Sequence, residues 1–303
     1  MSRRLELPVT AELAGIKVDT LLKKHLGLSG TVVRRVKWLE DGILVDGVRV
    51  NTRFCPQEGQ VLSVRLSDPE RRSGIVPAPG PLDIVYEDED LLVLNKAPGV
   101  PVHPGPGHFD DTICNFLLNY YDLKGIEGDA HPVHRLDRGT SGLLVVAKHP
   151  HAQEVLKEQL HTPQFRRTYL AVCEGAPQPS AGLIDAPLGP RDGSLVEQEV
   201  RPDGKAARTR YETLWTDEAC SLLRLELDTG RTHQIRVHMA YLGHPLVGDF
   251  LYGREAPELI PRPALHSWQV IFRHPITAQE LTFTAPLPRD MEALLPPEVG
   301  SAL

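Results

Sequence analysis

Four prolines and two glycines fall within the fourteen residues from Asp68 to Pro81, DPERRSGIVPAPGP. Proline cannot donate a ladder hydrogen bond and breaks helix interiors, so this stretch suits neither a central strand nor a helix. It divides the chain into a front piece, residues 1–67, a linker, 68–81, and a long remainder, 82–303. The pieces differ in charge. Residues 1–72 hold 13 Lys and Arg against 9 Asp and Glu, a balance of +4, and the rest hold 20 against 31, a balance of −11. The overall net charge of −7 therefore says little about partners, because affinity for phosphate follows local patches.

With 303 residues, 41% hydrophobic and 24% charged, the chain has the composition of an ordinary globular protein, long enough for two domains. No apolar run approaches the ~18 residues of a membrane span, and MSRRLELPVTAELAG lacks the apolar stretch of an export leader. A cytoplasmic protein with no membrane partner is expected. Cys55, Cys114, Cys173 and Cys220 stand far apart with no CxxC pair, so neither a disulfide framework nor a thiolate zinc site is signalled.

In the front piece Val18, Leu21, Leu22 and Leu26 repeat at helical spacing, and Val32, Val33, Val36 and Leu39 do so after the turn residues Ser29 and Gly30. Three short β-rich runs follow, ILV, VRV and VLSVRL, separated by Asp46-Gly47 and Glu58-Gly59. The expectation is a compact αα-plus-hairpin module. Arg34, Arg35 and Lys37 cluster on its second helix, where they suit either successive phosphates of a nucleic-acid backbone or a plain solvated face. From residue 82 the pattern changes. DLLVLNKA, GLLVVAK, RTYLAVCEG, TRYETL, SLLRLELD and WQVIF read as strands, and DTICNFLLNYYD, HAQEVLKEQLHT and RTHQIRVHMAYLG as helices. Strands outnumber helices without alternating one for one, which predicts an α+β domain on a mixed, mostly antiparallel sheet with flanking helices.

Two segments concentrate reactive side chains. In HPVHRLDRGTSGLLVVAKH, residues 131–149, Asp137 lies between Arg135 and Arg138 and is followed by Thr140, Ser141 and Gly142, just before a strand. Arginines within ~4–6 Å would hold such an aspartate ionised, as a nucleophile or electrostatic stabiliser requires. The same composition also fits a salt-bridged turn. In TGRTHQIRVHMAYLGHPLVGDFLYG, residues 229–253, Ile235, Met239 and Leu242 form an apolar helix face with Arg236 at its edge. Arg231 and His233 precede it, and His233 and His238 are five apart, not at the i, i+4 spacing of a helical zinc pair.

HRLDRGTSGLLVVAK and GRTHQIRVHMAYLGHPLVGDFLYG resemble the two signatures of the RluA family of RNA pseudouridine synthases. LVLNKAPGVPVHPGPGH, RRTYLAVCEG, GKAARTRY, LHSWQVIFRHPIT and FTAPLP extend the resemblance in order from residue 82 to about 290. The front piece, with DGILVDG and GQVLSV, resembles a small S-four-like RNA-binding domain, although Asp41, Asp46 and Gln60 replace its usual residues.

The resemblance implies detachment of uracil from ribose, rotation of the base and rejoining through a ring carbon, with no cofactor and no metal. It implies Asp137 as the catalytic aspartate, Arg236 as its partner and Tyr169 as the residue stacked on the target base. Arg135 would enter the RNA stack as the base leaves, at a cost of a few kcal/mol that stacking offsets. Arg138, Thr140, Arg231 and His233 are expected beside the substrate, and Lys96, Lys148 and Arg231 as phosphate contacts. The implied partner is RNA, ribosomal before transfer RNA, and a monomer is expected. The competing readings are a tRNA-directed synthase, a hydrolytic N-glycosidase and a non-catalytic RNA-binding or ribosome-assembly protein.

Overall fold

The computed structural model describes residues 2–160 and 162–300. In the front piece Leu5 and Leu7 alternate inward along β1 (Arg4–Pro8), a strand absent from the sequence-based expectation, and Val9 continues the pattern just beyond it. β1 pairs antiparallel with β4 (Val61–Arg65), which also pairs with β2 (Ile43–Val45). β2 turns into β3 (Val48–Arg49) through Asp46 at φ 48° and Gly47 at φ 79°, the two left-handed residues that a tight hairpin of this twist needs. The two expected helical stretches are present. The first runs from Val18–Thr20 into a wider π turn, Leu21–His25, and the second spans Gly30–Val36, where the Ser29 hydroxyl accepts the Val32 N–H at 3.2 Å. Val18, Leu21, Leu22, Val32, Val33 and Val36 pack on Ile43, Val45, Leu62 and Val64 in a core of their own, against which Ile276 also packs.

Residues 68–81 hold no helix or strand, yet they are fastened along their length. Arg71 reaches Asp122 and the Leu118 carbonyl, Asp129 accepts the N–H groups of Arg72 and Ser73, and the Asn115 amide donates to the Val76 carbonyl at 2.7 Å. The segment thus lies along the helix Ile113–Lys124.

Beyond it, ten strands among the described residues form one sheet. They are β5 (Ile84–Glu87), β6 (Leu91–Lys96), β7 (His131–Pro132), β8 (Ser141–Ala147), β9 (Arg166–Glu174) and β10 (Ala181–Asp185), then β13 (Arg208–Thr216), β14 (Cys220–Leu227), β15 (Leu265–Arg273) and β16 (Glu280–Thr284). β11 (Leu188–Pro190) and β12 (Gln198–Val200) make a separate ribbon. The order is β10-β13-β14-β9-β15-β8-β6-β5, with β7 on β8 and β16 on β15. Only the β8–β15 pair is parallel, so the sheet is mixed and mostly antiparallel, in an α+β fold with flanking helices.

The apolar runs sit at the centre because both faces of the sheet are covered. Along β8, Leu144 and Val146 point into one core while Leu143, Val145 and Ala147 point into another that contains Ala152 and Leu156 of the helix Pro150–Gln159. Tyr169 of β9, Leu136 of the loop before β8, Leu265 of β15 and Ile235 of the helix Gln234–Tyr241 all belong to the first core. The fold therefore brings residues about 100 positions apart to one face.

Candidate active site

Asp137 sits in the turn that enters β8. The turn is closed by Thr140 N–H on the Asp137 carbonyl at 3.0 Å and moored to a second turn by Gly99 N–H on the Arg138 carbonyl at 2.8 Å. Gly142, at φ 104°, follows immediately, and a Cβ there would lie 2.2 Å from the Ser267 carbonyl oxygen. Only glycine permits the close β8–β15 approach that sets the turn against β15.

Arg236 is not the surface arginine that its place at a helix edge allows; it is buried, with 4% exposure. Its Nε and Nη2 each donate to Asp249 at 2.7 Å, and its Nη1 lies 3.9 Å from Asp137 Oδ2. Asp249 is fully buried and also accepts the N–H groups of Leu251 and Tyr252. Burial alone would lower the Arg236 guanidinium, but Asp249 and then Asp137 hold it above its ordinary value. The guanidinium carbon lies 5.1 Å from the Tyr252 ring centre and 5.8 Å from that of Phe250. One end of this bidentate clamp is fixed and the other faces Asp137.

Tyr169 stands on β9 opposite Leu225 and Ser267, buried, and its burial pushes the phenol above its ordinary value. His233 takes a left-handed conformation, φ 55°, at the start of the Arg236 helix. Its Nδ1 lies 2.8 Å from the Tyr252 hydroxyl, which accepts the Gln198 N–H at 2.8 Å. Burial lowers the His233 imidazole below its ordinary value.

Asp137, Thr140, Tyr169 and His233 line a cavity of about 920 Å³ whose wall also includes Arg135 and Arg231. Arg135 is exposed at its rim, and Arg231 is held there by its Nε on the Ala206 carbonyl at 3.0 Å. Several expected contacts fall elsewhere. Arg138 turns away from Asp137 and donates to the Gly99 carbonyl at 3.1 Å, so the ion-pair partner of the aspartate is Arg236 and not its chain neighbours. Lys96 is 1% exposed, with Nζ on the carbonyls of Ala97, Val100 and Arg138, and Lys148 is buried on Glu87 and the Asp88 carbonyl. Neither lysine can meet a phosphate; Lys96 instead braces the turn that carries Asp137. On the front module Arg34 is exposed and Lys37 half-buried over the Trp38 ring, while Arg35 pairs with buried Asp68 at 2.9 Å.

Asp249, Tyr252 and Arg167 complete the constellation and were not singled out in the sequence. Asp249 had one signal, a lone charge in the glycine-punctuated run GHPLVGDFLYG that the fold buries.

Residues 90–241 match the family model described as RNA pseudouridylate synthase. The chain is 38% identical over 300 residues to a protein of Nitrosomonas europaea named ribosomal large subunit pseudouridine synthase D, covering 96% of this chain and 87% of that one. It is 40% identical over 271 residues to the RNA pseudouridine synthase YjbO of Bacillus subtilis, covering 89% and 95%. Among solved structures, human RNA pseudouridylate synthase domain containing 4 superposes with a TM-score of 0.57 at 27% identity, over 70% of this chain and 90% of that one. In sequence and in fold, this chain belongs to the RNA pseudouridylate synthase family, whose members are RNA isomerases.

Proposed function

We propose that this protein converts uridine to pseudouridine in large-subunit ribosomal RNA, with Asp137 acting at the ribose, Arg236 keeping it anionic and Tyr169 against the target base. The observation that carries the reading is the Arg236 clamp: two nitrogens are bound by Asp249 and the third faces Asp137 at the wall of the cavity. Two routes are open to the carboxylate, attack on the sugar carbon or removal of a neighbouring ribose proton, and both need it charged. Arg135, exposed at the rim, would fill the gap left by a flipped base, with Thr140, Arg231 and His233 beside the entering nucleotide.

Ribosomal RNA is favoured by the relatives' names and by the front module. Two helices followed by hairpin strands, with Arg34 and Lys37 outward, suit an S-four-like RNA-binding unit over residues 1–67. Two of its departures from that pattern compensate each other, since the Gln60 amide donates to the Asp46 carboxylate at 2.8 Å and holds the hairpin turn. A hydrolytic N-glycosidase would need a second carboxylate to activate water. The nearby Asp249 is sealed behind Arg236 and fully buried, so it cannot serve as that base.

Tritium release from RNA labelled at the uracil carbon that forms the new bond tests the assignment. Release from large-subunit ribosomal RNA and none from transfer RNA is expected. Release from transfer RNA alone would reverse the substrate assignment, and free uracil as product would make the enzyme a hydrolase.

A further inference from the structure

Four arginines are buried among the described residues, and three have carboxylates: Arg65 with Asp41 and Glu127, Arg236 with Asp249, and Arg262 with Asp290. The fourth, Arg167, has none. It is 7% exposed, its Nε meets no acceptor among the described residues, and it lines the same cavity wall as Asp137 and Tyr169. It sits two residues before Tyr169 on β9, so strand alternation turns both to the same face. Gly230 borders it, where a Cβ would lie 3.4 Å from Arg167 Nη1, an ordinary contact. His134 beside it supplies no counter-charge, since an imidazole is neutral or cationic, and burial keeps this one neutral by pushing it down to about 3. The Arg167 side chain has a hydrogen bond with the neutral Tyr169 phenol but no carboxylate, and a buried cation without a counter-charge in a cleft marks a place where a ligand brings the missing charge.

We infer that Arg167 binds a carbonyl oxygen of the flipped uracil and stabilises the ring anion formed when the base leaves the ribose. This rests on the synthase reading of the site. A guanidinium only donates, so its ligand atom is an acceptor. Backbone phosphates stay outside such a cavity, whereas a flipped base enters it. Uracil offers two ring carbonyls and is neutral while attached. When the N1–C1′ bond breaks, the electron pair stays with the ring, and its charge spreads over N1 and both carbonyl oxygens. C5 then bonds to C1′, the C5 hydrogen leaves as a proton and N1 gains one, so atoms and electrons balance without an oxidant. A cation on a carbonyl oxygen holds the detached ring more tightly than the attached base, and that difference lowers the barrier.

The test compares full-length wild type, Arg167→Lys and Arg167→Gln on large-subunit ribosomal RNA transcripts made with uridine or with 5-fluorouridine. Formation of the C5–C1′ bond is read under single turnover by chromatography of nuclease digests, as the carbon-linked isomer on uridine RNA and as the C5-fluorinated carbon-linked adduct on 5-fluorouridine RNA, where C5 has no proton to lose, and RNA affinity is read separately. Fluorine stabilises the ring anion by itself. Arg167→Gln is expected to lose about 10²–10³-fold in rate on uridine RNA, distinctly less on 5-fluorouridine RNA, with affinity unchanged and Arg167→Lys intermediate. Equal losses on the two RNAs overturn the inference, as does weakened affinity with an unchanged saturating rate, the signature of a phosphate contact. If Arg167→Gln fails to fold by circular dichroism, the comparison passes to Arg167→Lys, whose loss must again be smaller on the fluorinated RNA. An inactive wild type on both transcripts refutes the ribosomal reading of the site; an active wild type with equal Arg167 losses refutes only the role of Arg167.

Discussion

Arg236 works through geometry that a lone arginine on a helix would lack. Asp249 grips Nε and Nη2, so the guanidinium cannot swing toward solvent and its remaining nitrogen is aimed at Asp137. Removing one member of a buried pair leaves an uncompensated charge, which costs about 3–5 kcal/mol. Asp249→Ala should therefore lower stability by that order in urea titrations and depress isomerisation in whatever protein remains folded; a variant of wild-type stability would show the clamp to be dispensable. The sequence made Asp137, Tyr169 and Arg236 legible because family signatures carry them. It could not display Asp249 or Arg167 as site residues, since neither the sealed carboxylate nor the missing counter-ion exists until β9, the Asp137 turn and the Arg236 helix meet.

At the scale of elements, the strands that the sequence displays best are those covered on both faces, such as β6, β8 and β9, whose continuous apolar runs leave little ambiguity. The ones it hides are edge or partner strands, β1, β5, β10 and β16, where one face is half exposed and the pattern is diluted. The front helix Gly30–Val36 shows the same division of labour in its charges. Arg35 pairs with Asp68 and holds the segment after β4, whereas Arg34 faces solvent and Lys37 lies beside it. Replacing both Arg34 and Lys37 by Ala should flatten the dependence of log K for ribosomal RNA on log salt by about one unit per lost phosphate contact. An unchanged slope would mean the module meets RNA through another face or not at all.

For the whole molecule, the sheet that carries the site also encloses titratable groups. His134, His151 and His266 are buried, and desolvation pushes their imidazoles down to about 3, 4 and 4. Their folded values lie below the unfolded value of about 6.5, so they are neutral in the native protein, and the unfolded chain takes up protons first as pH falls. The stability they contribute is fully present above about pH 6.5 and is lost below it, at up to about 1.4 kcal/mol per pH unit for each. Urea midpoints should thus fall between pH 7 and pH 5, before ordinary carboxylates protonate; a flat profile to pH 4 would contradict the burial argument. The central claim, that Asp137 acts on RNA held by the rest of the molecule, is tested most directly by comparing wild type with Asp137→Asn for tritium release and for RNA affinity in the same preparation. The structure predicts release by wild type only, with equal affinity, whereas release by Asp137→Asn, or loss of affinity in step with activity, would make Asp137 a structural residue.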